Sequence, residues 1–99
     1  MSVEVTVRHT TASGIQGYAN EKAEGLMAEF PRIEHVHIIL DVEKHRHVAE
    51  CIIQAKKHVH VEASETSDNF KSSIDIAVER AERQLRKLED RIQEHRGRP

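Results

Sequence analysis

Val3, Val5 and Val7 alternate with Glu4, Thr6 and Arg8, a period of two that predicts a half-buried strand from about Ser2 to His9. The segment "TTASGIQ" then offers Ser13 as a helix cap with Gln16 three residues on, the spacing of a capping box. Ile15, Ala19, Ala23, Leu26 and Phe30 recur every three or four residues, the stripe of a helix that Pro31 stops. Alternation returns in "EHVHIILDVEK", with Val36, Ile38, Leu40 and Val42 on one side and His37, Ile39, Asp41 and Glu43 on the other. After the polar turn "EKHR", Ala49, Cys51, Ile53 and Ala55 repeat the inward row against Val48, Glu50, Ile52 and Gln54. "KK" turns the chain once more into Val59, Val61 and Ala63, with His58, His60 and Glu62 opposite. Short strands with tight connections predict an antiparallel meander.

From "TSDNF" the period lengthens to that of a helix, capped by Thr66 or Ser67 with Asp68 suited to its first turn. Phe70, Ile74, Ala77, Ala81, Leu85, Leu88 and Ile92 hold one apolar stripe, and the helix is expected to end near His95. The predicted fold is α+β, in the order β-α-β-β-β-α. Each strand has one apolar face, so both helices pack on one side of a four-stranded sheet and leave the other side in water. The 99 residues are read as one domain over 1–95 with a flexible tail at 96–99.

Charge adds a division that periodicity does not. The whole chain carries −2 with neutral histidines, yet residues 1–79 hold 8 basic against 13 acidic side chains and residues 80–99 hold 7 against 4. On a helical wheel of about 100° per residue, with Arg80 at zero, Arg83, Lys87 and Arg91 fall at roughly 300°, 340° and 20°. They form a basic band beside the apolar stripe, and Glu82 and Glu89 lie on the opposite flank. Such a band suits about four phosphates. Structured RNA fits better than duplex DNA, because there is no helix-turn-helix pair and the long helix is committed to the sheet. With only Phe30, Phe70 and Tyr18 as rings, stacking on single-stranded bases is not expected. The competing reading of the band is a solvated face held by the i,i+4 pairs Glu79/Arg83 and Glu82/Arg86.

Other chemistry is thinner. The single cysteine, Cys51, rules out an intrachain disulfide and is read as a buried thiol. Eight histidines are many, and His35/His37 with His58/His60 suggest four rings meeting on the open face. Without thiolates or an H-E-x-x-H pattern, no metal or cofactor is expected. Gly14, Gly17 and Gly25 lie in the first helix region, and no G-x-S-x-G elbow occurs. Asp41, Glu43, Glu50 and Glu62 on a flat wet face lack the cleft that splits carboxyl pKa values, so no enzyme is expected. No basic leader or membrane-length apolar run occurs, which points to a cytoplasmic protein.

Three segments, "VRHTTAS", "VHIILDVEKHRHVAEC" and "SDNFKSSIDIAVERAERQLRK", resemble the ribosome hibernation-promoting factor family, also called ribosome-associated inhibitors or sigma-54 modulation proteins. The last is the most specific, with the Ile74-Asp75 pair and the Arg-Gln-Leu-x-Lys run from Arg83 to Lys87. The resemblance implies a domain shaped like double-stranded RNA-binding domains. It lodges on the small ribosomal subunit, touches 16S rRNA in the mRNA and tRNA channel, and blocks translation in stationary phase or stress. The contact positions it implies are Lys44, Arg80, Arg83, Arg86 and Lys87, with Arg91 and Arg8 weaker. Arg46, Lys56 and Lys57, at the turns, join that set if the fold places them near the helix. The chain departs from the family in having Lys71 where a tyrosine is usual, and Lys56 and Lys57 where many members have glycines before the fourth strand. It resembles the short type, without a dimerisation domain, and is expected to partner 30S, 70S or 100S particles and to be monomeric when free. The alternative is a protein-interaction module that uses the outward Ile39 and Ile52. A metal-binding module ranks third.

Overall fold

The computed structural model describes residues 2–10 and 13–97, with side chains described over 2–10 and 14–90. Its elements are β1 (Ser2–Arg8), α1 (Ser13–Glu29), β2 (Ile33–Glu43), β3 (Arg46–Ala55), β4 (Val59–Ser67) and α2 (Phe70–Gly97). This is the β-α-β-β-β-α order read from the periodicities. The strands lie in sequence order across the sheet. β2, β3 and β4 form the antiparallel meander, and β1 joins β2 in parallel, with α1 as the crossover that a parallel pair requires. Both helices cover one face.

The core is aliphatic and continuous. Ala19, Ala23, Leu26 and Phe30 of α1 and Ile74, Ala77, Ala81 and Leu85 of α2 close over Val36, Ile38, Leu40, Ala49, Cys51, Ile53, Ala55 and Val61. The inward rows are as the alternation predicted from Val36 to Leu40 and from Ala49 to Ala55, but Val42, expected in the first row, is only half-buried and lies outside the core. Val3, Val5 and Val7 are only partly buried, because β1 is an edge strand. Ile33 escaped the period-two reading. A register shift between Ile33 and His35 inserts one residue, and the bulge turns Ile33 into the core instead of outward with the other odd positions.

The start of α2 corrects one expectation. Neither Thr66 nor Ser67 caps it; the Asn69 side-chain oxygen accepts from the Ser72 amide at 2.8 Å. Both earlier residues belong to β4, so the chain leaves the strand before the helix can begin. Ser67 instead shares a 2.6 Å hydrogen bond with Ser73, whose hydroxyl reaches the His47 carbonyl at 2.6 Å. Ser73 is fully buried, so this chain of hydroxyls satisfies it and ties α2 to β3. The Ser13 cap and the Ile92 end of the stripe fall on side chains outside the described ones.

Turn geometry is demanding. The Glu43↔Arg46 pairing leaves Lys44 and His45 as a two-residue hairpin loop, both at positive φ (48° and 68°), the type I′ form that favours Asn-Gly. Lys57 and His58 also have positive φ, 68° and 62°, in the turn where the family resemblance leads one to expect glycine.

Two outcomes are expected. Ser73→Ala strands the hydroxyl partners and lowers stability by about 1–3 kcal/mol in urea unfolding. Burial pushes the Cys51 thiol up to about 12, so a thiol-specific reagent at mildly alkaline pH labels the native protein far more slowly than the urea-unfolded chain.

Candidate nucleic-acid interface

The apolar seam of Ile74, Ala77, Ala81 and Leu85 fixes the rotation of α2 about its own axis, and so decides which flank its cations occupy. One flank overhangs β4, one of the two edge strands of the sheet. There the Arg80 guanidinium donates to the Ser64 carbonyl at 3.0 Å and to the Glu65 carboxylate at 3.1 Å, and Gln84 donates to the Glu62 carbonyl at 3.1 Å. α2 side chains thereby satisfy outward carbonyls that an edge strand leaves unpaired. Arg83 pairs with Glu79 one turn back at 3.0 Å, both about two-thirds exposed. Lys87 is exposed and, among the described residues, forms no ion pair.

Arg86 sits on the other flank. It meets Glu29 of α1 at 2.6 Å and Glu82 at 3.6 Å, and its guanidinium lies 5.1 Å from the centre of the Phe30 ring. It therefore joins the two helices. The wheel had separated bases from acids along α2, but three of its arginines each rest against a carboxylate, two of these acids coming from β4 and α1. Exposed pairs of this kind contribute at most about 1 kcal/mol, so a phosphate can exchange with the carboxylate. An arginine also has five N–H donors, more than its present partners use. Arg91 lies outside the described side chains.

The remaining candidates fall at the two ends of the sheet. Arg80 lies beside Ser64, Gln84 beside Glu62, and Leu85 and Glu89 line one small hollow with Lys56 and Val59. The row from Arg80 through Arg83 to Lys87 thus runs toward the turn that carries Lys56 and Lys57. That turn is anchored where the Lys56 amide donates to the Arg32 carbonyl at 3.0 Å. Lys44, Arg46 and Arg8 gather at the far end, about 30 Å away along the ten residues of β3 at about 3.3 Å each.

The open face of the sheet has its own chemistry. His35 and His37 are separated from β4 by the whole width of β3, and His58 lies in a turn, so the four rings do not gather. Glu4 of β1 joins His35 and His37 instead. At the end of β1, His9 in a left-handed conformation bonds Asp41 at 2.7 Å, and this bond holds the Asp41 carboxyl below its usual range. Its stabilising effect is complete above the unfolded-state value and is lost as pH falls through the lowered one.

Sequence reasoning missed one cluster. The Tyr18 hydroxyl donates to Asp75, which raises the tyrosine pKa, and Lys22 lies 3.6 Å from the same carboxylate. The ammonium groups of Lys22 and Lys71 stand 5.6 and 5.7 Å from the Tyr18 ring centre. Two further cations thus meet on the α1–α2 seam. No local spacing signals it, since Tyr18 and Asp75 are 57 residues apart.

A family model described as sigma 54 modulation protein / S30EA ribosomal protein matches residues 3–93. Among solved structures, the chain is similar to a ribosomal subunit interface protein from Coxiella burnetii, with TM-score 0.80 and 18% identity over 91% of this chain and 99% of that one. It is also similar to the Protein Y N-terminal domain from Thermus thermophilus, with TM-score 0.76 and 21% identity over 89% and 99%. Identities this low carry the fold alone. No curated protein matches the chain.

The geometry separates structural from available cations. Arg86→Ala is expected to lower stability by about 1 kcal/mol, through the lost tie to Glu29 and Phe30. Arg83→Ala and Lys87→Ala should stay within about 0.5 kcal/mol of the parent in the same denaturant titration.

Proposed function

The chain belongs to the sigma 54 modulation protein / S30EA ribosomal protein family, and on that premise we propose that it is a ribosome hibernation factor acting in the cytoplasm. In this reading it binds 16S rRNA of the small subunit in the mRNA and tRNA channel and inhibits translation in stationary phase or under stress. The action is steric. A rigid domain occupies the channel, and no bond is made or broken.

The observation that carries this reading is the row of Arg80, Arg83 and Lys87 on one edge of α2, leading to Lys56 and Lys57 at an anchored turn. Arg80 is already oriented by β4, so it meets a phosphate with little further loss of side-chain freedom. Lys44, Arg46 and Arg8 form a second contact set across the sheet, Arg86 adds a contact from the opposite flank of α2, and Arg91 joins the first set on the helical wheel. Because the net charge is only −2 and the arginines carry acidic partners, binding depends on local exchange of carboxylate for phosphate rather than on long-range attraction. No helix among the described residues is long and apolar enough to cross a membrane.

A second reading has an observation behind it as well. Ile39, Ile52 and Val48 lie half-buried on the open face, and they would serve a protein partner or a second copy. Salt separates the two, since rRNA contacts weaken steeply with ionic strength and apolar association does not.

Purified protein mixed with 30S subunits is expected to co-sediment at low salt, with a slope of log K against log salt of about −4. Charge reversal at Arg83, Lys87, Lys56 and Lys57 together should remove most of that binding and flatten the slope, while the fold stays intact. Equal co-sedimentation of the parent and the reversed variant would refute this interface. Absence of the parent from both 30S and 70S fractions at low salt would refute the function.

A further inference from the structure

The open sheet face holds one group of side chains that the ribosomal reading does not use. His35 and His37 alternate along β2, so both rings stand on this face, and Glu4 of the parallel edge strand β1 is the register partner of His37. One Glu4 oxygen lies 3.5 Å from His35 Nε2, and the other lies 3.8 Å from His37 Nε2. One ligand atom from each of the three residues lies within 4.8 Å of the other two. We propose that Glu4, His35 and His37 form a binding site for a divalent transition-metal cation of the zinc class, which staples β1 to β2.

Distances and donor types agree on this. Metal–ligand bonds of about 2.0–2.1 Å in a tetrahedron place neighbouring ligand atoms about 3.4 Å apart. The two carboxylate–nitrogen distances, 3.5 and 3.8 Å, are already near that spacing, and rotation of exposed side chains draws the three ligand atoms, now within 4.8 Å of one another, onto one ion. The His35 ring meets the Ser2 hydroxyl through Nδ1 at 2.5 Å, which leaves Nε2 facing the carboxylate. A hydroxyl on the far nitrogen is the outer partner that orients a ligating imidazole. Thr6 holds His37 Nε2 toward the cluster at 2.8 Å and yields that nitrogen to the cation.

Two imidazoles and one carboxylate select zinc, nickel or copper over magnesium or calcium, which prefer oxygen ligands throughout. The side chains of His35, His37 and Glu4 are 31%, 23% and 56% exposed, so an ion reaches them directly from solvent, and water completes its coordination. Asp41, Glu50 and Glu62 on the same face add a field that favours a cation. The consequence is mechanical. β1 pairs with β2 alone, and a cation ligated from both strands adds a cross-link that exists only in the folded state.

The test uses untagged, metal-free full-length protein at about pH 7.5, where free imidazole is mostly neutral. Zinc chloride is titrated calorimetrically and the melting temperature is followed, with magnesium chloride as the control. The expected result is one zinc per chain, a melting temperature that rises with zinc and not with magnesium, and a cobalt adduct with the visible absorption of a tetrahedral site. Glu4→Gln and His37→Gln should each weaken zinc binding at least about tenfold, while their metal-free circular dichroism matches the parent. The double variant His58→Gln/His60→Gln should bind as the parent does. No saturable zinc binding up to about 1 mM, or binding that survives both Glu4→Gln and His37→Gln, would overturn the proposal. Neither outcome bears on the ribosome reading, which sedimentation tests separately.

Discussion

The seating of α2 on the sheet is the constraint from which the rest of the molecule follows. Ile74 and Leu85 are fully buried, each contributing about 1.5–3 kcal/mol, and the small Ala77 and Ala81 between them let the helix approach β3 and β4 closely. A helix held by one aliphatic seam has one permitted rotation. Only in that rotation do Arg80 and Gln84 reach the outward carbonyls of β4, and only then does Lys87 continue the row toward Lys56. The same contacts protect a sheet edge that would otherwise invite pairing with another chain.

Charge on the surface is sorted by edge rather than by face. The helices carry acids such as Glu21, Glu24, Glu82 and Glu89 as well as bases, yet Arg80, Arg83 and Lys87 share one edge of α2, and Lys22 and Lys71 meet at the α1–α2 seam. The open side presents Glu4, Asp41, Glu50 and Glu62 among histidines. A chain of net charge −2 can thus hold a local cationic edge. Three arginines of α2 carry carboxylate partners. These pairs hold long side chains in place at little cost, and they remain weak enough to exchange.

Strain is concentrated at the sheet ends. Lys44, His45, Lys57 and His58 all hold left-handed backbone, which costs a residue with a Cβ about 1–2 kcal/mol relative to glycine. Both strained pairs bear a lysine at the tip of a hairpin, so cationic side chains stand where a glycine would give an easier turn. The tips lie at opposite ends of β3, whose length sets their separation.

Much of this was legible in the residues themselves. The period-two rows of Val36 to Leu40 and Ala49 to Ala55, the helical stripes, and the breaks at Pro31 and at the two lysine turns specify element order and the covered face, because burial acts on each residue locally. The flank of α2 that carries Arg80, Arg83 and Lys87 follows from the same geometry. What the linear pattern does not contain is partnership across elements. Glu65 meets Arg80 from 15 residues away and Glu29 meets Arg86 from 57, and neither distance has a period. The bulge that turns Ile33 inward, the use of Asn69 rather than Ser67 as cap, and the parallel pairing that brings Glu4 to His35 and His37 were likewise decided only in the folded chain. The physical reason is that periodicity reports which side of an element is dry, while strand order and register determine which wet or half-buried groups come within reach of one another.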